Sequence, residues 1–200
     1  MTQPYPETAW HRNFVAHNAL FSTGAEVFRL FLHLGLKQDD TLVDIGAGSF
    51  RVGRFLMMYL NSDCYRAIEP NAELTKLGIK HEVSPGLTAL KKIRIDTNDQ
   101  FDASVFDEKF DWVLCGDVLV HADHAMMKQA MQNASAVLKP GGSMIVNYYV
   151  GQPHHDGVGW LYPNVAPHER DCYIERLPYD LSFEDIGEVT GTQWCRLWKQ

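Results

Sequence analysis

The segment from Thr41 to Tyr59 constrains the fold of this chain more than any other stretch. It reads TLVDIGAGSFRVGRFLMMY, in which an apolar run leads through Asp44 to two glycines, Gly46 and Gly48. Apolar residues then recur at helical spacing, so the pattern predicts a strand, a glycine turn and a helix. Glycines let a ligand approach the main chain, and a helix start presents unpaired N–H groups. This turn can therefore hold a small anionic or polar ligand at the carboxyl end of the strand.

The spacing of the two glycines narrows the class of ligand. A dinucleotide-binding fingerprint needs a third glycine or alanine three residues after Gly48, and Arg51 occupies that position. A P-loop ends in Gly-Lys-Ser or Gly-Lys-Thr, which the segment lacks. What remains is Asp-x-Gly-x-Gly, a pattern that a tight strand–helix turn without a ligand also shows.

The composition suits one α/β domain, which we predict over residues 1–200. Hydrophobic residues make up 46% of the 200-residue chain and charged residues 22%, enough for a full core. A net charge of −7 disfavours a broad phosphate-binding surface, so no nucleic-acid partner is expected, although a local basic patch is compatible with it. No apolar run is long enough to span a membrane, and the first residues lack an apolar signal core, so we expect a cytoplasmic protein without a membrane partner.

The four cysteines contain no C-x-x-C pair. Two of them fall in predicted buried strands. This pattern favours core thiols in a reducing compartment over disulfides or a zinc site. The cysteines are Cys64, Cys115, Cys172 and Cys195.

The start of the chain, residues 1–23, is predicted as an N-terminal arm and helix. The aromatic and basic cluster at residues 10–12 either packs on the domain surface or covers the ligand. Apolar residues recur at helical spacing over residues 14–36, and Ser22-Thr23-Gly24 is predicted to interrupt or cap this pattern as two helices. Gly35 is a plausible C-terminal stop.

A second strand is predicted over residues 64–68, ending at Glu69 and Pro70. Glu69 follows Asp44 by 25 residues, close to the roughly 20 at which an acidic residue meets a ribose diol in such folds. A carboxylate can accept two hydroxyl hydrogen bonds at once. An acidic residue also ends many strands by chance. A short helix over residues 72–79 is predicted next.

Residues 90–95 form a weaker strand candidate, and a polar loop follows it. Asp99, Gln100 and Phe101 lie in this loop. Asp99 could accept a hydrogen bond from an exocyclic amine of adenine, and Phe101 could line the ring. The alternative is an ordinary polar loop with one buried phenylalanine.

Residues 110–116, FDWVLCG, form the nearly continuous apolar run of a central parallel strand. A helix over residues 125–138 follows, and Lys139-Pro140-Gly141-Gly142 predicts a stop and turn before a strand at residues 143–150. Strand and helix thus alternate five times, which predicts a parallel sheet with its ligand outside the carboxyl ends of the strands.

The sequence shows no regular helix or strand pattern between residues 151 and 180, and we predict that this segment is a lid-like insertion. Four prolines and several aromatic residues make it too long and too aromatic for a plain connector. Trp160, Tyr162 and Tyr173 could stack on a ring or a sugar face, and His154 or His155 could meet a hydroxyl. These aromatic residues could instead cover an open edge of the sheet.

The final residues predict one helix and one strand. Ser182 with Asp185 indicates a helix start, running to about residue 190, and Gly191 would end it. Residues 192–198 then read as the last strand. With only one strand candidate at this end, we expect either a six-stranded sheet or a truncated chain.

Five features together resemble bacterial class I S-adenosylmethionine-dependent methyltransferases over roughly residues 24–190. They are DIGAG, the strand that ends at Glu69, NDQF, FDWVLCGDVLVH and LKPGGSMIV. The resemblance implies a Rossmann-like, doubly wound, mainly parallel sheet flanked by helices, in which the final strand of the family is either present or missing. The phrases DIGAGSFRVGRFL, YRAIEPN and NDQFD are similar to single-domain members associated with modification of glycans or other small metabolites.

The resemblance also implies a set of residues that bind the cofactor, S-adenosyl-L-methionine. The glycine turn would meet its methionine part, the second strand its ribose, the polar loop its adenine, and the end of the fourth strand its sulfonium. Phe50 and Arg51 stand where the family has a third small residue. The implied cofactor-binding residues are Asp44, Gly46, Ala47, Gly48, Ser49, Glu69, Pro70, Asp99, Gln100, Phe101, Gly116 and Asp117.

Methyl transfer from a sulfonium is an in-line displacement, in which the enzyme mainly positions donor and acceptor. An oxygen nucleophile also benefits from a base, for which His121 and Asp117 are the candidates and His124 the next. Adjacent histidines on a loop rarely make a complete metal site, so we assign no metal.

We therefore expect O-methylation of a small molecule or sugar, that is, a small-molecule or glycan acceptor. The alternatives are a methyltransferase that acts on protein or RNA, and a non-catalytic domain that binds S-adenosylmethionine or serves as a scaffold. The predicted substrate-binding residues are His154, His155, Trp160 and Tyr162.

Overall fold

The computed structural model describes residues 22–148, 170–189 and 191–200. The predicted arm, apart from its last two residues, and the part of the predicted insertion before residue 170 lie outside these ranges. The described chain contains six α-helices and seven strands, with a π-helical turn at Ile79–Val83 and 3₁₀ turns at Ala103–Phe106 and Leu119–His121. In chain order the elements are α1 (Ser22–His33), β1 (Leu42–Ile45), α2 (Gly53–Tyr59), β2 (Tyr65–Ile68), α3 (Ala72–Gly78), α4 (Pro85–Leu90), β3 (Arg94–Asp96), β4 (Phe110–Cys115), α5 (His124–Val137), β5 (Leu138–Tyr148), α6 (Arg170–Arg176), β6 (Leu181–Val189) and β7 (Thr192–Lys199).

The seven strands of the described residues form one sheet in the order β3-β2-β1-β4-β5-β7-β6. β2 pairs with β3, β1 with β4 and β4 with β5, all in parallel, which confirms the predicted parallel sheet. The described residues also divide into two compact units. The first holds residues 22–40 and 47–97, and the second holds residues 41–46 and the described residues from 98 onward.

In the first unit, α1 packs closely on the segment that follows the glycine turn. A side chain on Gly24 would place its Cβ 2.1 Å from the Arg51 carbonyl oxygen, so only glycine fits there. The residues before Ser22 lie outside the described ranges, so the prediction that residues 22–24 interrupt or cap two helices stays a prediction. Within α1, which begins at Ser22, Gly24 serves packing. The predicted stop is confirmed, because Gly35 has a φ of 96° and the Leu36 N–H donates to the Phe31 carbonyl at 2.9 Å.

The second unit is built on β4. Five of its six residues are buried, and only Asp111 is half-buried. Such a strand fits the middle of a parallel sheet, where both faces are covered. The continuous apolar run of the sequence thus predicted the position of β4 correctly.

The end of the chain differs from the prediction. The helix expected over residues 182–190 is wrong, because Leu181–Val189 is strand β6 and pairs antiparallel with β7 along its length. Ser182 and Asp185 resemble a helix start locally, but the ladder with β7 outweighs this local preference. The pairing shifts between Asp185 and Gly187, which has a φ of 129°. The sheet formed by the described residues therefore has seven strands, so the strand that the sequence analysis expected to be missing is present.

The turn predicted at Lys139–Gly142 lies within β5 rather than before it. Phe110 pairs with Leu138 and Trp112 with Ser143, so one residue of β4 faces four residues of β5. Gly141 has a φ of 78°, which lets the chain bulge there and rejoin the ladder. The proline and the two glycines therefore make the beginning of β5 irregular.

Two further predictions need smaller adjustments. The third strand is shorter than expected, since Leu90 ends α4 and β3 covers only Arg94–Asp96. Cys115 and Cys195 are buried strand thiols, as expected, and burial raises the pKa of both. No helix in the described part of the chain is long and apolar enough to cross a membrane.

Candidate functional site

The two glycines of the turn after β1 have different physical roles. Gly46 has a φ of 73°, and a Cβ there would lie 2.2 Å from Val118 Cγ2, so this glycine permits a close contact. Gly48 has a φ of 56°, and a Cβ there would meet nothing within 4 Å. The main chain at Gly48 is therefore open to a ligand, whereas Gly46 is required by the protein's own packing.

In the first unit, the turn is tied to the end of β2. The Ala47 N–H donates to the Ile68 carbonyl at 3.1 Å, and the Gly48 N–H donates to Glu69 Oε2 at 2.9 Å. The second oxygen of Glu69, Oε1, accepts from the Asn71 N–H at 2.8 Å. Glu69 therefore joins the glycine turn to the start of α3, a role that the sequence did not reveal.

Glu69 has the burial and the acceptor capacity of a ligand-binding carboxylate. It is 8% exposed, and burial raises its pKa above the usual range, while the bonds from Asn71 and Gly48 act in the opposite direction. Each carboxylate oxygen has two acceptor sites and receives one of these backbone bonds, so each can accept a further hydrogen bond. Two vicinal hydroxyl groups match this capacity. Pro70, the next residue, is exposed.

The two residues after Gly48 are almost fully buried. Ser49 is 3% exposed, and its Oγ has no hydrogen-bond partner among the described residues. Phe50 is fully buried with a φ of 65°. Cβ atoms on Gly53 and Gly78 would lie 3.1 and 2.8 Å from its ring, so a nearby glycine and a glycine 28 residues away make room for Phe50.

An ion pair between Arg54 and Glu82 lies beside this segment. Their side chains are only 5% and 11% exposed. Desolvation lowers the pKa of Arg54, and the charge of Glu82 opposes that effect. The Arg54 N–H also donates to the Phe50 carbonyl at 3.1 Å, so the pair connects the turn to the π-helical segment after α3.

The predicted adenine loop belongs to the second unit and is organised by Asn98. Asn98 Oδ1 accepts from the N–H groups of Gln100 and Asp102 at 3.2 and 3.1 Å. Asp99 is exposed and accepts from the Gln100 side chain at 2.7 Å, while Phe101 is half-buried with a φ of 56°. The fold therefore presents Asp99 at the surface, and the adenine role stays a prediction.

The end of β4 carries Gly116 and Asp117. A Cβ on Gly116 would lie 2.9 Å from Trp194 Cη2, so packing alone requires glycine there. Asp117 has a φ of 57° and is half-buried. Its N–H donates to Asn147 Oδ1 at 2.8 Å, and its Oδ1 accepts from Asn147 Nδ2 at 2.5 Å. Asn147, which sequence reasoning missed, is a residue of β5 and is fully buried.

The remaining predicted residues fall into two groups. Asp44 is buried, and the backbone of His121 ends the 3₁₀ turn after Asp117. His124 Nδ1 lies 2.8 Å from Arg176 Nη2, which donates to it, so His124 already has a charged partner. His154, His155, Trp160 and Tyr162 lie outside the described residues.

Tyr173 does not fit its predicted role as a stacking residue. It is fully buried, and its hydroxyl donates to the Asn147 carbonyl at 2.9 Å. A side chain in that position packs the protein interior rather than a substrate. The described residues contain no group of three His, Cys, Asp or Glu side chains that could hold a metal.

Comparisons with known proteins agree on one class. A family model described as a methyltransferase domain matches residues 43–144, about half of the chain. No curated protein matches the chain in sequence.

Several solved structures share the fold. TrmN from Thermus thermophilus is 16% identical, with a TM-score of 0.63 over 87% of this chain and 48% of that one. Magnesium protoporphyrin IX methyltransferase ChlM from Synechocystis PCC 6803, with bound SAM, is 12% identical, with a TM-score of 0.67 over 89% and 78%. N-methyltransferase NodS from Bradyrhizobium japonicum WM9, in complex with S-adenosyl-L-homocysteine, is 15% identical, with a TM-score of 0.66 over 96% and 98%. This chain thus spans about half of TrmN but nearly all of NodS, and at these identities the likeness concerns the fold.

Proposed function

The chain belongs to the methyltransferase domain family, and on that basis we propose that it transfers the methyl group of S-adenosylmethionine to a hydroxyl group of a small molecule or sugar. The cofactor assignment rests on the Glu69 carboxylate. It accepts a hydrogen bond from the Gly48 N–H at 2.9 Å and can accept further hydrogen bonds. The structures of ChlM and NodS, which share this fold, contain SAM and S-adenosyl-L-homocysteine, respectively.

The residues of the first unit fit the cofactor in three respects. Glu69 would accept the two ribose hydroxyl groups, the open main chain at Gly48 would allow the methionine part to approach, and the buried Ser49 hydroxyl would supply a polar contact. The cofactor itself supplies a methyl group activated by a sulfonium charge. These contacts serve to position it, and positioning is the main work of the protein in an in-line displacement.

The acceptor side is proposed from the end of β4. Asp117 is the carboxylate there, and the backbone of His121 follows on a 3₁₀ turn. We propose one of these two residues as the base that takes the proton of an acceptor hydroxyl. His124 is the weaker candidate, because Arg176 already donates to its Nδ1. We further propose that His154, His155, Trp160 and Tyr162 bind the acceptor.

The location and partners follow from the composition. Free, buried thiols at Cys115 and Cys195 suit a reducing compartment, so we propose a cytoplasmic protein. The net charge of −7 supports a small-molecule or glycan acceptor rather than nucleic acid, and no membrane partner is proposed.

The test is transfer of a labelled methyl group from S-adenosylmethionine to a panel of acceptors. The panel contains sugars and phenols, small amines, unfolded peptides and transfer RNA. Label on a sugar or phenol oxygen, lost in the Asp117→Asn and His121→Phe double variant, is the expected result. Label on an amine, peptide or RNA would overturn the proposed acceptor class. Cofactor binding without any transfer would favour a non-catalytic binding domain.

A further inference from the structure

Two neighbouring segments of the first unit are fastened to each other at both ends. One segment runs from Gly48 in the glycine turn to Arg54 in α2, and the other runs from Asn71, the N-cap of α3, to Glu82 in the π-helical turn. At one end, Glu69 accepts hydrogen bonds from the Gly48 and Asn71 N–H groups. At the other end, Arg54 forms an ion pair with Glu82. The ion pair therefore closes a ring of contacts that also contains Glu69.

The two segments also touch between these ends. A Cβ on Gly78, the last residue of α3, would lie 2.6 Å from the Ser49 carbonyl oxygen, so α3 approaches the turn as closely as a glycine allows. One carbon of the fully buried Phe50 ring would lie 2.8 Å from the same Cβ. Close-packed groups transmit a displacement rather than absorb it. A shift of α3 along the turn would therefore move the main chain that leads back to Gly48.

The π-helical turn after α3 brings Glu82 to Arg54. The Ser84 N–H donates to the carbonyl of Ile79, five residues earlier, at 2.9 Å, which is the bonding pattern of a π-helix. Because this turn is wider than an α-helical one, Glu82 points in a different direction from the one it would have in a continued α-helix. Such turns are rare and frequently occur at functional sites.

Burial gives the ion pair one favourable geometry. The side chains of Arg54 and Glu82 are only 5% and 11% exposed, so separating them would leave a charge in a desolvated place. Hydrogen bonds between a planar guanidinium and a carboxylate are also directional. Apolar side chains at the same two positions would pack without such a directional preference. A buried ion pair is thus suited to fix the register of two segments.

We propose that Arg54 and Glu82 are a positioning pair that sets the register of the glycine turn against α3, and thereby the geometry in which Gly48 and Glu69 meet the cofactor. This inference rests on the proposed function. Neither side chain of the pair is assigned a contact with the cofactor. The pair acts through the main chain, because the Arg54 N–H donates to the carbonyl of Phe50, two residues after Gly48, at 3.1 Å.

The experiment uses the double variant Arg54→Met/Glu82→Leu, which replaces the ion pair by apolar side chains. Such a replacement often preserves stability, so we expect a denaturation midpoint close to that of the wild type. The affinity for S-adenosylhomocysteine, measured by calorimetry, should nevertheless fall about tenfold, because the register is no longer fixed. Glu73→Leu/Lys76→Met is the matched control, since this exposed pair lies within α3, and its affinity should equal that of the wild type.

A second measurement needs no ligand. Hydrogen exchange of the Gly48 amide, followed by NMR, reports on its bond to Glu69. In Arg54→Met/Glu82→Leu we expect this amide to exchange about tenfold faster at an unchanged denaturation midpoint, whereas the control should match the wild type. Glu82→Gln, which keeps the side-chain shape and removes the charge, carries both measurements if the double variant fails to fold.

Unchanged affinity or unchanged Gly48 exchange in the folded double variant would overturn the inference, because the ion pair would then contribute stability alone. Equal changes in the Glu73→Leu/Lys76→Met control would overturn it as well, since any alteration of α3 would then suffice. Failure of the wild type to bind S-adenosylhomocysteine would overturn the proposed function instead. Hydrogen exchange would still decide whether the pair positions the turn.

Discussion

The end of β2 and the end of β4 each present an acidic residue, but the protein holds the two in different ways. Glu69 is held by backbone N–H groups, those of Gly48 and Asn71. Asp117 is held by a side chain, the amide of Asn147, thirty residues further along the chain.

This difference shows which of the two carboxylates has contacts that neighbouring residues in the sequence can indicate. Backbone amides exist whatever the side chains are, so a glycine turn and a following carboxylate were enough to single out Glu69, although its bond to the Gly48 N–H required coordinates. The second depends on one particular side chain on another strand. Substitutions should therefore have distinct consequences in the two regions.

The largest expected effect concerns the buried ion pair beside the first region. Glu82→Ala leaves Arg54 charged and buried, so the free energy of unfolding should fall by about 3 kcal/mol. The matched control is Glu73→Ala, since Glu73 pairs with Lys76 and both side chains are about two-thirds exposed. That control should cost about 0.5 kcal/mol or less. Chemical denaturation measures both, and equal losses would contradict a structural role for the buried pair.

The next effect separates the two glycines of the turn. Gly46→Ala should destabilise the protein by roughly 2 kcal/mol more than Gly48→Ala, because a Cβ at Gly46 would lie 2.2 Å from Val118 Cγ2 and one at Gly48 meets nothing. Both positions share the cost of a positive φ, which therefore cancels in the comparison. Denaturation midpoints give the difference. A larger loss for Gly48→Ala would refute the assignment of packing to Gly46.

Glu69→Ala should weaken binding of S-adenosylhomocysteine by about 2 kcal/mol, because hydrogen bonds to a charged group are lost. The variant also deprives the Gly48 and Asn71 N–H groups of their acceptor, so a moderate loss of stability should accompany it. Glu69→Gln keeps the side-chain size and one acceptor oxygen, so its affinity for S-adenosylhomocysteine should lie between those of the wild type and Glu69→Ala. Calorimetry at one pH orders the three proteins, and unchanged affinity in Glu69→Ala would remove Glu69 from the ribose site.

The smallest effect tests the support of the second region. Tyr173→Phe removes a buried hydrogen bond and should lower the free energy of unfolding by about 1 kcal/mol. Tyr179→Phe is the control, since Tyr179 is 99% exposed and should change nothing measurable. Thermal melting of both variants measures the difference in stability. A neutral Tyr173→Phe would show that the Asn147 carbonyl finds another donor.

The parts of the fold that the sequence predicted correctly are set by neighbouring residues. The turn after Asp44, the apolar run of β4 and the stop at Gly35 each show their physical cause within a few residues. Strand β6 does not, because its capping pattern at Ser182 favours a helix until the ladder with β7 forms. Long-range pairing decided that element, and a single sequence does not display it.

The candidate site follows the same rule. Glu69 was identified from its separation of 25 residues from Asp44 along the sequence, but its bond to the Gly48 N–H required coordinates. Asn147 escaped notice because an asparagine within an apolar strand has no local signature. Gly116 was read as a ligand contact, and the structure gives it a second cause in Trp194.

The pH dependence of cofactor binding isolates Glu69. Burial raises its pKa in the folded protein, so its contribution to folding stability is complete below the pKa of the unfolded chain and is lost as the pH rises through the folded value. Ribose hydroxyl groups donate to the ionised carboxylate, so ligand affinity has the opposite dependence. It should fall as the pH drops, beginning above the ordinary glutamate pKa of about 4.5.

The most direct measurement is a calorimetric titration with S-adenosylhomocysteine and, separately, with NADH, from pH 7.5 downward. We expect the wild type to bind S-adenosylhomocysteine with an affinity that falls as the pH drops, and Glu69→Gln to show a much smaller fall. We expect no binding of NADH. Binding of NADH without any binding of S-adenosylhomocysteine would contradict the conclusion that S-adenosylmethionine is the cofactor of this protein.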